Sequence, residues 1–174
     1  MKNLNDKYDK NFDNLDLTFN TKQGRFNYRV GAIIVKDDSI LMAKNENVAY
    51  YYSVGGRVKM FESSEQAVLR EAKEETGLDF EVDRLGFIYE NLFYDKAKDW
   101  KFHGLCLFYF LKPAKDWSNL SMRFVEKDMT QKLCNHYLQW IPLNSIHKFN
   151  IVPKFFKTEL KKHDSGVRHI VDKK

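Results

Sequence analysis

One stretch constrains this chain more than any other: GGRVKMFESSEQAVLREAKEETGL, Gly55 to Leu78. It opens on two adjacent glycines, and it holds five glutamates in 24 residues. Ser63-Ser64-Glu65-Gln66 contains a capping-box pattern, Ser63 with Gln66 three residues on, and Gly77 supplies a stop. The spacing predicts a helix over 64–76. On a wheel of about 100° per residue, Glu71, Glu74 and Glu75 fall inside about 100° of arc. Val68, Leu69 and Ala72 take the neighbouring sector, which should face a core, and Arg70 lies on the other flank. Like charges at three- and four-residue spacing oppose helix formation, so something must offset them. The helix alone leaves two answers open. One is a divalent cation, Mg²⁺ or Mn²⁺, both suited to hard oxygen ligands. The other is a solvated surface helix whose acids pair with Lys73 and Arg70.

The rest of the chain supplies a sheet. "LDLTFN" and "GRFNYRV" read as strands around "TKQG". "VGAIIV" and "SILMAK" read as a hairpin across Lys36-Asp37-Asp38, and "YYYSV" as a short strand ending at Gly55-Gly56. "FEVDRLGFIYENLFY" and "KFHGLCLFYFL" are long strand candidates. The second is apolar on both faces, as expected of a central strand covered on each side. Residues 113–136 read as polar and irregular, "YLQWI" as a short strand and "PLNSIHKF" as a turn of helix. Val152, Phe155, Phe156 and Leu160 mark an amphipathic helix with Pro153 in its first turn. The pattern is mixed α/β.

Bulk properties narrow the class. The 174 residues, 43% apolar and 30% charged, fit one soluble domain with a real core. Cys106 and Cys134 form no CxxC pair, which fits a reducing cytoplasm. The polar start "MKNLNDKYDKNFDN" has no apolar h-region, and no apolar run approaches a membrane span. The net charge of +5 is a C-terminal property, with eight Lys/Arg against three Asp/Glu in residues 147–174. The expectation there is a solvated helix face and a frayed tail rather than a nucleic-acid track. The five histidines show no HxH or HExxH spacing, which argues against a zinc site.

The stretch satisfies G-x5-E-x7-R-E-U-x-E-E-x-G-U, with U apolar, through Gly56, Glu62, Arg70, Glu71, Ala72, Glu74, Glu75, Gly77 and Leu78. This resembles the complete signature box of the Nudix hydrolases. A looser resemblance runs from the strands near Val30 to "WIPL" at Trp140. The resemblance implies a Nudix-type α/β/α sandwich, with a mixed sheet between helices. Residues 27–162 would form the domain, after an N-terminal extension (1–26) with a candidate added strand and before a basic tail (163–174). It also implies a water-dependent hydrolase, needing Mg²⁺ with Mn²⁺ as a substitute, that cleaves the pyrophosphate of a nucleoside diphosphate derivative. That class takes in nucleoside triphosphates, nucleotide sugars, ADP-ribose and dinucleoside polyphosphates. By motif position, Glu74 and Glu75 look like metal ligands, Glu71 like a ligand and base, and the Gly56 carbonyl like a further ligand. Arg70 looks like the group that orients Glu71, and Glu62 like a supporting acid. A cation site explains the glycines too, since they let backbone approach closely.

Two departures stand out. Relatives often bring another acid from a distant loop just before the late Trp. "KLCNHYLQW" has none, which leaves Glu126, Asp128, Asp95 or Asp99, or no such acid at all. Val54 replaces a common Pro before the paired glycines. Tyr94, sixteen residues after the box, resembles a residue of relatives that act on dinucleoside polyphosphates. Tyr94 and Tyr52 are therefore the named substrate-binding candidates, with Tyr28, Tyr50, Tyr51 and Trp100 as further aromatics. The expected partner is a small nucleotide. Membrane is excluded, nucleic acid is disfavoured and a homodimer is left open. The alternative to an enzyme is a nucleotide-sensing module on the same fold.

Overall fold

Alternating apolar residues along a strand need two apolar surroundings, and "VGAIIV" finds both. In the computed structural model, which describes residues 14–96, 99–127, 133–161 and 166–173, it lies within β2 (Gly24–Lys36). Val30, Ala32 and Ile34 pack with Leu41 and Ala43 of β3 (Ser39–Asn45) and with Val68 and Ala72 of helix α1 (Ser64–Thr76). Ile33 turns the other way, towards Ile40, Met42, Ile146 and Phe156. Those last two belong to a 3-10 turn (Ile146–Lys148) and to α2 (Phe156–Glu159). The molecule is an α/β sandwich with a mixed sheet between helical elements.

The other strands are β1 (Thr18–Asn20), β4 (Tyr51–Ser53), β5 (Phe80–Asp95), β6 (Trp100–Pro113) and β7 (Arg123–Lys127). β8 (Leu133–Pro142), β9 (Ile151–Val152) and β10 (Arg168–Lys173) complete the set. The sheet runs β10-β5-β6-β2-β3-β4-β9, with β1 on β2 and β8 on both β3 and β7. The pairs β2–β6, β5–β10 and β4–β9 are parallel and the rest antiparallel. β6 is central, as its two apolar faces require: Leu107, Tyr109 and Leu111 join the α1 side, and Cys106, Phe108 and Phe110 the other.

Several expectations need correction. "GRFNYRV" and "VGAIIV" are one strand, because β2 pairs with β6 from Gly24 to Ile34 without a break. Within 113–136, read as irregular, β7 forms a ladder with β8, which starts earlier than "YLQWI". The last helix is four residues long, and Val152 lies in β9, before a cis bond to Pro153. Strand pairing with Tyr52 holds Val152 extended where the apolar spacing suggested helix. The expected frayed end is also overturned. Residues 168–173 run parallel to β5 from Arg168↔Phe87 to Lys173↔Leu92, and Ile170 packs into the second core. Residues 1–13 of the N-terminal extension lie outside the described residues, and its candidate strand is β1.

Candidate active site

β4 delivers the chain to Val54-Gly55-Gly56. From there it runs beside β2, with the Ala32 amide on Val54 O (2.8 Å), Val30 on Gly56 O (3.0 Å) and Val58 on Tyr28 O (3.2 Å). Gly55 has φ of 137°, and a Cβ there would meet the Val30 carbonyl at 2.3 Å. The chain then turns into α1. The Ser63 hydroxyl accepts from the Gln66 amide, the Gln66 side chain accepts from Ser63 N, and Gly77 closes the far end with φ of 77°.

α1 turns its acids further inward than the wheel suggests. Ala67, which lies among the acids on the wheel, is fully buried, as are Val68 and Ala72, while Leu69 is half-buried. Glu71 and Glu75 are buried with them, at 9% and 5% exposure. Glu75 accepts one hydrogen bond, from the Gly55 amide to Oε1 (3.0 Å), and its Oε2 is buried with no partner. Burial, then the Glu71 and Glu126 charges, pushes its carboxyl well above the usual range despite that bond. Burial also raises Glu71, against the opposing pull of Arg70.

Arg70 organises the remaining acids. It grips Glu62 with two bonds (Nε to Oε1, 2.7 Å; Nη2 to Oε2, 3.0 Å) and donates to Glu71 Oε1 (2.8 Å), Glu74 Oε2 (3.2 Å) and the Arg57 carbonyl (3.0 Å). Those bonds, led by the one to Glu62, raise its own pKa. Burial alone would raise the Glu62 carboxyl, but Arg70 and the Lys59 amide outweigh it and hold it below its usual value. Lys73 takes no part, since it pairs with Asp79 (2.6 Å).

The structure therefore gathers Gly56, Glu62, Arg70, Glu71, Glu74 and Glu75. A Cβ on Gly56 would fall 2.3–2.4 Å from the Glu71 carboxylate, so glycine is what allows that carboxylate its place. The Gly56 carbonyl has one lone pair engaged by Val30 N, while the adjacent Gly55 carbonyl receives only a long 3.4 Å contact from Arg29. Among the described acids outside the box, Glu126 on β7 is the one whose charge acts on both Glu71 and Glu75. Asp99 is bound by the Tyr94 hydroxyl (2.5 Å), and Asp128 lies outside the described residues. Tyr52 borders the cluster, and its hydroxyl pairs with Nδ1 of buried His136 (2.7 Å). Burial and then the Glu75 charge raise its pKa. Sequence reasoning left His136 out because a lone His carries no spacing signal. Tyr94 is not brought to the acids. It lies six residues beyond Ile88, which pairs through Leu107 with Val30, or about 20 Å along the strand.

The donor set fits a hard divalent cation. Two buried carboxylates with raised pKa values lie near one another, and one has an unpartnered oxygen. Among the described residues, no three His, Cys, Asp or Glu side chains are grouped closely enough to hold an ion as they sit. Glu74, bound to Arg70 but 58% exposed along its side chain, is the member free to swing in.

Gly56→Ala tests this arrangement. The new methyl meets the buried Glu71 carboxylate that Arg70 holds, so the melting temperature should fall, and turnover should fall at least about tenfold through the displaced carboxylate. Unchanged turnover would show that the place of Glu71 does not matter.

A family model for the NUDIX domain matches residues 25–159. No curated protein matches the chain. Among solved structures, the fold is similar to the "mMutator MutT protein" of Bacillus halodurans, with TM-score 0.58 and 17% identity over 84% of this chain and 90% of that one. It is also similar to a NUDIX hydrolase from Nitrosomonas europaea, with TM-score 0.50 and 17% identity over 78% and 86% of the two chains. Among the described residues, no helix is long and apolar enough to cross a membrane.

Proposed function

Because the chain belongs to the Nudix family of pyrophosphohydrolases, which act on small nucleotides and generally need a divalent metal, we propose that it hydrolyses the pyrophosphate linkage of a nucleoside diphosphate derivative with Mg²⁺. Mn²⁺ serves as a substitute. The observation that carries this reading is the buried Glu71–Glu75 pair beside Gly56, with Glu75 Oε2 lacking any partner.

Glu71, Glu74 and Glu75 would hold the metal, with a carbonyl of the Gly55-Gly56 turn as a further donor. When bound there, such an ion would supply charge neutralisation for the pyrophosphate and would acidify water. The chain's own residues do the rest. Arg70 fixes the Glu71 carboxylate, and Glu62 fixes Arg70 through the two-bond grip. Glu71, whose proton affinity is raised by burial, accepts a proton from water. Glu126, whose charge acts on both Glu71 and Glu75, would be the assisting acid. Tyr52, held by His136, forms part of the wall.

A phosphate-release screen tests the proposal across nucleoside triphosphates, nucleotide sugars, ADP-ribose and dinucleoside polyphosphates, with Mg²⁺ and with Mn²⁺. Metal-dependent turnover abolished by EDTA is the expected result. Nucleotides that bind without turnover would favour the sensing module instead.

A further inference from the structure

A second surface lies away from the glutamates. Partners in register share a face of the sheet. Phe19 lies opposite Phe26, Phe26 opposite His103, His103 opposite Leu92, and Leu92 opposite Lys173. One row thus crosses β1, β2, β6, β5 and β10, a span of about 19 Å at roughly 4.8 Å per strand. The next row sets Gly24, Lys101 and Tyr94 side by side. Phe19 and Phe26 stack at 5.2 Å, and His103 meets Phe26 edge-on at 5.6 Å. Phe19 is 58% exposed and Tyr94 45%.

These residues line a cavity of about 540 Å³. Among the described residues, its cations are Arg25, Lys101 and Lys173, and no Asp or Glu lines it. Two acids beside the face are engaged: Glu90 with His169 (2.7 Å) and His103 (3.6 Å), and Asp99 with the Tyr94 hydroxyl (2.5 Å). Phe26 is four residues along β2 from Val30, the contact of Gly56, so the surface begins about 13 Å from the acidic cluster.

We propose that this face binds a short single strand of nucleic acid, with bases stacked on Phe19, Phe26 and Tyr94 and phosphates held by Lys101 and Lys173. Rings interleaved with cations, with Glu90 and Asp99 already engaged, match a ligand that alternates flat apolar faces with negative charge. The length of the row favours a strand over a mononucleotide. The C-terminal basicity, which the sequence set apart as a solvated tail, reaches the rings because β10 docks on β5 and carries Lys173 to Leu92. This inference does not depend on the hydrolytic reading.

Fluorescence anisotropy on the full chain tests it, using labelled decanucleotides of uridylate and of thymidylate across a salt series. Binding should weaken with salt at about 0.7 log units per log salt for each phosphate contacted. Phe19→Ala should weaken it about fivefold or more by removing one stacking face. Lys101→Glu should flatten the salt slope by about one contact. Both variants should keep wild-type melting temperature and wild-type turnover of a mononucleotide substrate, so loss of binding is separable from loss of the hydrolytic site. Absence of binding at low salt, or equal binding by wild type and both variants, would overturn the proposal. So would sedimentation showing a dimer that Phe19→Ala converts to monomer, since the face would then belong to a second copy.

Discussion

Replacing Glu75 with Gln is expected to lower turnover at least about 100-fold, the scale of losing a charge-stabilising group at a reacting centre, while stabilising the metal-free protein. Both effects come from one geometry. Glu75 is buried with a single hydrogen bond and an orphaned oxygen, so its ionised form lacks compensation until a cation arrives. Because its folded pKa is raised, the folded state binds the proton more tightly than the unfolded chain does. The destabilisation is absent below the unfolded carboxyl value of about 4.5, grows as pH rises from there towards the raised folded value, and is constant above it. Glu62 acts oppositely in a lower window: its depressed pKa contributes stability above that value, lost as pH falls through the folded pKa. Melting curves of wild type and Glu75→Gln without metal should therefore converge in acid, separate as pH rises from the unfolded to the raised folded value, and keep a constant gap above it, with the variant the more stable. Added Mg²⁺ should close the gap by stabilising wild type alone. A variant with near-normal turnover, or curves that stay parallel across pH, would remove Glu75 from the metal site.

Arg70→Ala should be the most destabilising single change in the site, costing about 3 kcal/mol, as expected when one partner is removed from a largely buried charge network. The loss leaves Glu62 and Glu71, with side chains 14% and 11% exposed, facing each other without a cation. The exposed Glu74 bond adds little. Arg70→Lys should recover less than half of this. Five bonds to four residues need the planar fork of a guanidinium, whereas an ammonium offers one nitrogen. Urea denaturation measures both. A loss within about 0.5 kcal/mol of zero for Arg70→Ala, the range of an ordinary surface change, would mean the acids are not held as described. Turnover should fall in both variants, since Glu71 loses its orienting partner.

The local devices were legible because their causes are local. Ser63 and Gln66 bond across three residues, Gly77 needs a left-handed backbone, and the wheel places Val68 and Ala72 inward. Box spacing likewise brought Gly56, Glu62 and Arg70 to the glutamates, because all lie on one turn and one helix. Other features depended on distant strands. Whether an acid outside the box approaches was open, and it is the β7–β8 ladder, with Glu126 across from Cys134, that brings the Glu126 charge to bear on Glu71 and Glu75. His136 reached Tyr52 the same way, across strands 84 residues apart in sequence.

By itself, then, the sequence determined the helix, its caps, the glycine turn and the family chemistry, since each rests on contacts within a few residues. Tertiary structure alone decided three things. It buried Glu71 and Glu75, where periodicity had set them beside the core. It left Tyr94 about 20 Å along the sheet from the acids. It also turned the basic end into β10, placing Lys173 beside Leu92 and the exposed rings. Burial depth, strand register and edge pairing are set by what packs from elsewhere in the chain, and periodicity within one segment carries no record of that.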